Sequence, residues 1–253
     1  MPVRLSVSSW CRYSGQRCGR TVMALFLAVF AVLVTGCNDD GSTSAAYIIG
    51  THDFGENDPN IVVVMGDSIT TGHDVSRSYP DMMASLLGTT VINEGYSGEH
   101  AYEGLRRVNE VLARYKPGFL LILYGANDIL HFRGADDIAE DLRSMVRAAM
   151  AANTVPVLAT LTPMARTRGV FDEHTKSVNH FIRAMAAEEG VEVVDLEIVF
   201  DGFDNDADPF VMEADDLLQF DGLHPNETGN WEIALAFGYF LDSATGGFPV
   251  YLP

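Results

Sequence analysis

A chain of 253 residues with 47% hydrophobic content is long enough to bury one sizeable core, and no internal repeat divides it. Its 16 Lys and Arg against 35 Asp and Glu give a net charge of −19, a field that argues against nucleic acid as a partner and against electrostatic attachment to anionic lipid. Its cysteines are Cys11, Cys18 and Cys37, so no disulfide framework or cysteine-based metal site is expected beyond the N-terminal segment.

That segment opens with Arg4, Arg12, Arg17 and Arg20 and no acid, followed by the apolar run 22–34 and then Thr35, Gly36 and Cys37. The positive, apolar, small-residue order predicts a secretory signal over 1–36, and the apolar run is short of the roughly 20 residues that a membrane span needs. Leu33-Val34-Thr35-Gly36-Cys37 resembles a bacterial lipobox. The resemblance implies that Cys37 is lipidated and becomes the first residue of an extracytoplasmic, membrane-anchored lipoprotein; an ordinary cleaved signal or an uncleaved anchor is the alternative. Cleavage there removes four arginines and leaves 12 basic residues against 35 acidic ones, a net charge of −23. Residues 37–59, rich in Gly, Ser, Asp and Asn, read as a tether with a reach of about 25 Å if flexible. Tyr47, Ile48 and Ile49 offer the alternative that this stretch packs on the domain. The domain itself is expected to span 60–253, as a monomer.

From residue 61 the pattern alternates strands and helices. Strands are predicted at 61–65, 90–93, 119–124, 155–160 and 191–195, each separated from the next by a helix-length segment. Ile138, Leu142, Met145, Val146 and Ala149 form one helical stripe; Val178, Phe181, Ile182 and Met185 form another, with Gly190 as its stop; Trp231, Ala234, Leu235, Gly238 and Tyr239 keep the period in a last helix. Such alternation predicts an α/β fold with a parallel, doubly wound five-stranded sheet.

The polar residues fall at the carboxyl ends of those strands, where open α/β sheets place ligand chemistry. Ser68 follows the first strand in Gly66-Asp67-Ser68, Gly95 and Gly98 follow the second, Asn127 follows the third in Gly125-Ala126-Asn127-Asp128, and Asp221-Gly222-Leu223-His224-Pro225 follows the fifth. Taken singly, each has a plain reading as a turn, a cap or a structural histidine. Together they supply the parts of acyl transfer. Ser68 is a candidate nucleophile, His224 a base to take its proton, and Asp221 a carboxylate to orient the imidazole. The Ser68 N–H, the Gly95 N–H and the Asn127 amide are candidate donors to an oxyanion.

These blocks, in this order, resemble those of the SGNH (GDSL) hydrolase family over about residues 60–243, and the Asn93–Gly98 form is similar to the bacterial arylesterase, thioesterase I and lysophospholipase-like group. The resemblance implies a three-layer, flavodoxin-like α/β/α fold, Ser68 as nucleophile, the Asp221–His224 pair, Gly95 and Asn127 as oxyanion donors, and neither a metal nor an organic cofactor. Ile69-Thr70 after Ser68 lacks the second glycine of a Gly-x-Ser-x-Gly elbow, which disfavours an α/β-hydrolase assignment.

Two further stretches carry expectations. Asp204, Asp206 and Asp208 alternate as in a calcium loop, but Pro209 and Asp215 stand where an EF-hand needs Gly and Glu, so an acidic surface loop is expected. Met164, Arg166 and Phe171, after the fourth strand, are expected to shape an acyl or alcohol pocket, an ordinary connecting loop being the alternative. The functional expectation is a serine esterase acting on small-molecule carboxylic esters or thioesters, or lysophospholipids, through an acyl-enzyme. The alternatives are a carbohydrate O-acetylesterase and a surface lipoprotein that keeps the fold only to bind a ligand.

Overall fold

A computed structural model describes residues 52–201 and 214–245. The signal 1–36, Cys37, most of the 37–59 stretch, and Asp204, Asp206, Asp208 and Glu213 of the acidic run lie outside the described residues.

The first strand, β1 (Asp58–Gly66), buries Val62, Val63, Val64 and Met65 in succession. Side chains alternate between the two faces of a strand, so burying four in a row requires cover on both sides of the sheet. The same holds for β3 (Pro117–Leu123) and β4 (Val155–Ala159), in which every residue is buried. With β2 (Thr90–Gly95) and β5 (Glu192–Val194) they form one parallel sheet in the order β2-β1-β3-β4-β5. The cover comes from α3 (Ala101–Tyr115), α5 (Ala135–Ala151) and α6 (Asp172–Glu189), which pack in series, and from α2 (Tyr79–Leu87) packed on the last helix, α9 (Glu227–Thr245). The result is the expected three-layer α/β fold. Short helical turns complete the chain: α1 (Ser68–Thr71), α4 (Ala126–Leu130), a 3₁₀ turn (Arg166–Phe171), α7 (Leu196–Asp201) and α8 (Ala214–Leu217).

This strand order positions the site. The chain steps from β1 to β2 on one side and then crosses to β3 on the other, so a crevice opens at the carboxyl ends of β1 and β3, where the winding reverses.

Two helical faces differ from the expected stripes. On α6 the buried residues are Thr175, Val178, Asn179, Ile182, Met185 and Ala186, whereas Phe181 is 41% exposed. Asn179 takes the inward place because its side chain closes a reciprocal pair with the backbone of Leu161, accepting from the N–H at 2.7 Å and donating to the carbonyl at 2.9 Å. On α9 the inward face is Ile233, Ala234, Phe237, Phe240 and Leu241, while Trp231 and Leu235 lie at its margin and Tyr239 is 46% exposed. A helix apolar on most of its circumference has no sharp stripe, so its rotation is set by the surface it meets. Gly190 does end α6, in the left-handed conformation at φ 66°. Strands β4 and β5 each stop a residue short of the expected end, and just past them the Thr160 hydroxyl donates to Asp195 Oδ1 at 3.0 Å, an oxygen that also accepts the Ile198 N–H of α7.

Candidate active site

At the end of β1, Asp67 caps α1. Its Oδ1 accepts the Ile69 N–H at 2.9 Å, which fixes the turn that presents Ser68. Ser68 Oγ lies 2.8 Å from His224 Nε2, across 156 residues of sequence, and His224 Nδ1 lies 2.5 Å from Asp221 Oδ2. The other oxygen of Asp221 accepts the N–H groups of Leu223 and His224, both at 3.1 Å, so the carboxylate cannot swing away from the ring. Burial works against ionisation of Asp221, but the hydrogen bond from His224 and those two N–H groups hold its carboxyl below the ordinary value. An ionised carboxylate only accepts, so the imidazole carries its proton on Nδ1 and turns the Nε2 lone pair towards Ser68.

The 221–225 loop is braced from the segment after β4. The Ala165 N–H donates to Gly222 O at 2.9 Å, and the Thr167 hydroxyl donates to Asp221 O at 2.7 Å. This bracing changes the reading of the residues expected to line a pocket. Met164 is 3% exposed and belongs to the hydrophobic core, so it offers substrate no surface. Arg166 is exposed, at φ 48°, and the half-buried Phe171 pairs with the exposed Phe132 at a ring separation of 5.5 Å.

Asn127 sits in the first turn of α4, at the end of β3. Its Nδ2 donates to Glu99 O at 3.1 Å and makes a longer contact of 3.3 Å with Asp67 Oδ2. The structure gives Gly95 a packing place. Its N–H already donates to Asn93 Oδ1 at 2.9 Å, and a Cβ there would stand 2.9 Å from Thr70 and from the Thr71 nitrogen, so the missing side chain is what lets α1 pack on β2. The glycine three residues on has the opposite surroundings. Gly98 adopts φ 81°, a Cβ placed on it would meet nothing within 4 Å, and its N–H has no acceptor among the described residues. Its neighbour Glu99 carries the carbonyl that holds Asn127, so Gly98 and Asn127 are adjacent parts of one arrangement.

Two more residues at the site escaped the sequence reading. The His73 ring lies tilted against that of His224 with centroids 4.2 Å apart, and the His73 backbone N–H donates to Ser68 O at 3.2 Å. Only its position just past the turn that carries Ser68 hinted at this. Asp67, 1% exposed, has its carboxyl pushed up to about 7, chiefly by burial and further by the charges of Asp128 and Glu99.

A serine, an imidazole and a carboxylate stand in hydrogen-bonded series at the carboxyl edge of a parallel sheet, an arrangement suited to acyl transfer. The model of the GDSL-like lipase/acylhydrolase family matches residues 64–231, and the chain belongs to that family. It is similar to thioesterase 1/protease 1/lysophospholipase L1 of Escherichia coli (strain K12), with 27% identity over 173 residues, 65% of this chain and 75% of that one. It is likewise similar to esterase TesA of Pseudomonas aeruginosa, with 27% identity over 177 residues, 65% of this chain and 79% of that one. The crystal structure of a lipase/acylhydrolase from Enterococcus faecalis shares the fold, with a TM-score of 0.60 at 23% identity over 71% of this chain and 93% of that one. The chain is therefore an ester-bond hydrolase of the GDSL esterase, thioesterase and lysophospholipase type, which sets aside the binding-only alternative.

Proposed function

We propose that this enzyme hydrolyses neutral short- or medium-chain acyl esters through an acyl-enzyme on Ser68. The observation that carries this reading is the unbroken hydrogen-bond series from Ser68 Oγ through His224 to Asp221. Ser68 Oγ attacks the acyl carbonyl carbon as its proton passes to His224 Nε2, and Asp221 stabilises the imidazolium that forms. The developing oxyanion is met by the N–H groups of Ser68 and Gly98 and by the Asn127 amide. Collapse expels the alcohol or thiol, which takes the proton from His224. Water then adds to the acyl-enzyme by the same route in reverse, giving the acid and free Ser68. The names of the similar proteins, esterase, thioesterase and lysophospholipase, support ester and thioester substrates alike. The net charge of −19 favours neutral esters over polyanionic acyl-CoA.

The test is kcat/KM for p-nitrophenyl esters of increasing acyl length, the matching acyl-CoA thioesters and an acetylated glycan, each with Ser68→Ala alongside. Neutral esters should rank first and the Ser68→Ala variant should be inactive on all. Turnover confined to the glycan acetyl groups would replace this reading with an O-acetylesterase.

For location, we propose a lipid anchor at Cys37, supported by the lipobox-like run that ends there. Expressed in a bacterium with lipoprotein processing, the wild type should take up labelled fatty acid and sediment with membranes. Equal label in Cys37→Ala would refute lipidation at this residue.

A further inference from the structure

We propose that Arg107 is a positioning residue for the oxyanion donors, acting through the turn between β2 and α3; the inference rests on the acyl-transfer reading above. The segment 94–99 runs from the last residues of β2 into a turn that carries Gly98, and among the described residues the turn's backbone-to-backbone bonds are only Tyr96 N–H to Gly66 O at 2.9 Å and Glu99 N–H to Tyr96 O at 3.0 Å. Arg107, projecting from the second turn of α3, grips it at both ends. Its Nε and Nη2 form a fork on the Glu99 carboxylate at 2.8 and 2.7 Å. Its Nη1 donates to Glu94 Oε2 at 3.0 Å, and Nη2 reaches the Glu94 carbonyl at 2.5 Å. The guanidinium also covers the Tyr96 ring at 4.3 Å. Tyr124, the residue just after β3, donates its hydroxyl to Glu99 Oε2 at 2.5 Å and stands 2.8 Å from Arg107 Nη2, which ties the clamp to the strand that leads to Asn127. Glu94 is held again by the Tyr115 hydroxyl at 2.6 Å.

The clamp matters for chemistry because of what the turn holds. Glu99 gives its side chain to Arg107 and its carbonyl to Asn127 Nδ2, and Gly98 lies one residue before it. Both candidate donors are thus referenced to one residue whose place is set by Arg107. Burial works against the charge of Arg107, but its bonds to Glu99 outweigh burial and hold its pKa above the ordinary value, so the clamp stays cationic at any working pH. Lysine would keep the charge and lose the fork, which only a guanidinium forms in plane with a carboxylate. A misplacement of about 1 Å in a donor can cost on the order of 10²-fold in rate.

The experiment measures kcat, KM and melting temperature for Arg107→Lys, Asn127→Ala and the double variant on a p-nitrophenyl ester, with Tyr124→Phe as a milder variant that removes one arm of the clamp. The expected result for Arg107→Lys is a kcat loss of about 10–100-fold with KM nearly unchanged, because donor placement counts in the transition state more than in binding. Tyr124→Phe should lose kcat in the same sense and by less, which keeps the test decisive if Arg107→Lys fails to fold. In the Asn127→Ala background the further loss from Arg107→Lys should shrink, since one of the donors it places is already gone. A folded Arg107→Lys with kcat near wild type, or a loss that multiplies in full with that of Asn127→Ala, would overturn the proposal. If Asn127→Ala alone leaves kcat unchanged, the oxyanion reading fails instead, and the two failures are told apart by which single variant stays fast.

Discussion

Asp67 lies next to the nucleophile in sequence and is almost wholly buried, with its carboxyl pushed up to about 7 from an ordinary 3.8. A group whose pKa is raised on folding adds stability while both states are protonated, and that stability fades as pH rises through the folded value. Between about pH 4 and 7 the unfolded chain sheds this proton while the folded chain keeps it, so the enzyme should lose up to a few kcal/mol across that range. Asp221, whose carboxyl is held below its ordinary value, acts with the opposite sign and only at lower pH. Asp67→Asn should therefore flatten the fall in denaturation midpoint between about pH 4 and pH 7, whatever its constant effect on stability. An unchanged slope would mean that Asp67 is ionised in the fold throughout. Residues of this kind separate what sequence can and cannot say. That Ser68, Asn127, Asp221 and His224 would gather at one sheet edge was legible because each belongs to a block that follows a strand. Gly95 and Gly98 were not separable, because two glycines three apart look alike until one N–H is seen donating to Asn93 and the other is seen without an acceptor. Met164 misled because a methionine serves a pocket wall or a core equally well by type.

At the scale of elements, the strands were the most readable part. An apolar run in a parallel sheet is buried on both faces, so β1, β3 and β4 stand out without any periodicity. Helix α5 was also readable, since its polar face is exposed and its expected stripe Ile138, Leu142, Met145, Val146 and Ala149 is buried entire. The stripes of α6 and α9 came out rotated or interrupted. Asn179 is drawn inward by two bonds to Leu161, a tertiary pairing that hydropathy does not encode, and α9 is apolar nearly all round. The Arg107 clamp was invisible for a related reason. An arginine on a helix reads as a solvated face, and only the fold brings to it Glu94 and Glu99, from the end of β2 and the turn after it, together with Tyr124, from just past β3.

For the whole molecule, the acidic excess and the chemistry play separate parts. Many of the basic side chains are committed to carboxylates, such as Arg107 to Glu94 and Glu99, Arg133 to Asp128 and Asp141, and Arg183 to Asp195 and Glu197. The unbalanced negative charge therefore remains as a field that bears on which substrates arrive, while the sheet edge bears on what happens to them. The proposed chemistry requires that Ser68 Oγ be the atom that is acylated. The most direct measurement is to inactivate the enzyme with an activated alkylphosphonate ester and locate the adduct by peptide mass spectrometry. The account predicts one adduct per chain, on Ser68, rising in step with loss of ester hydrolysis and absent from Ser68→Ala. Full inactivation with the adduct on another residue, or hydrolysis that survives complete labelling of Ser68, would contradict it.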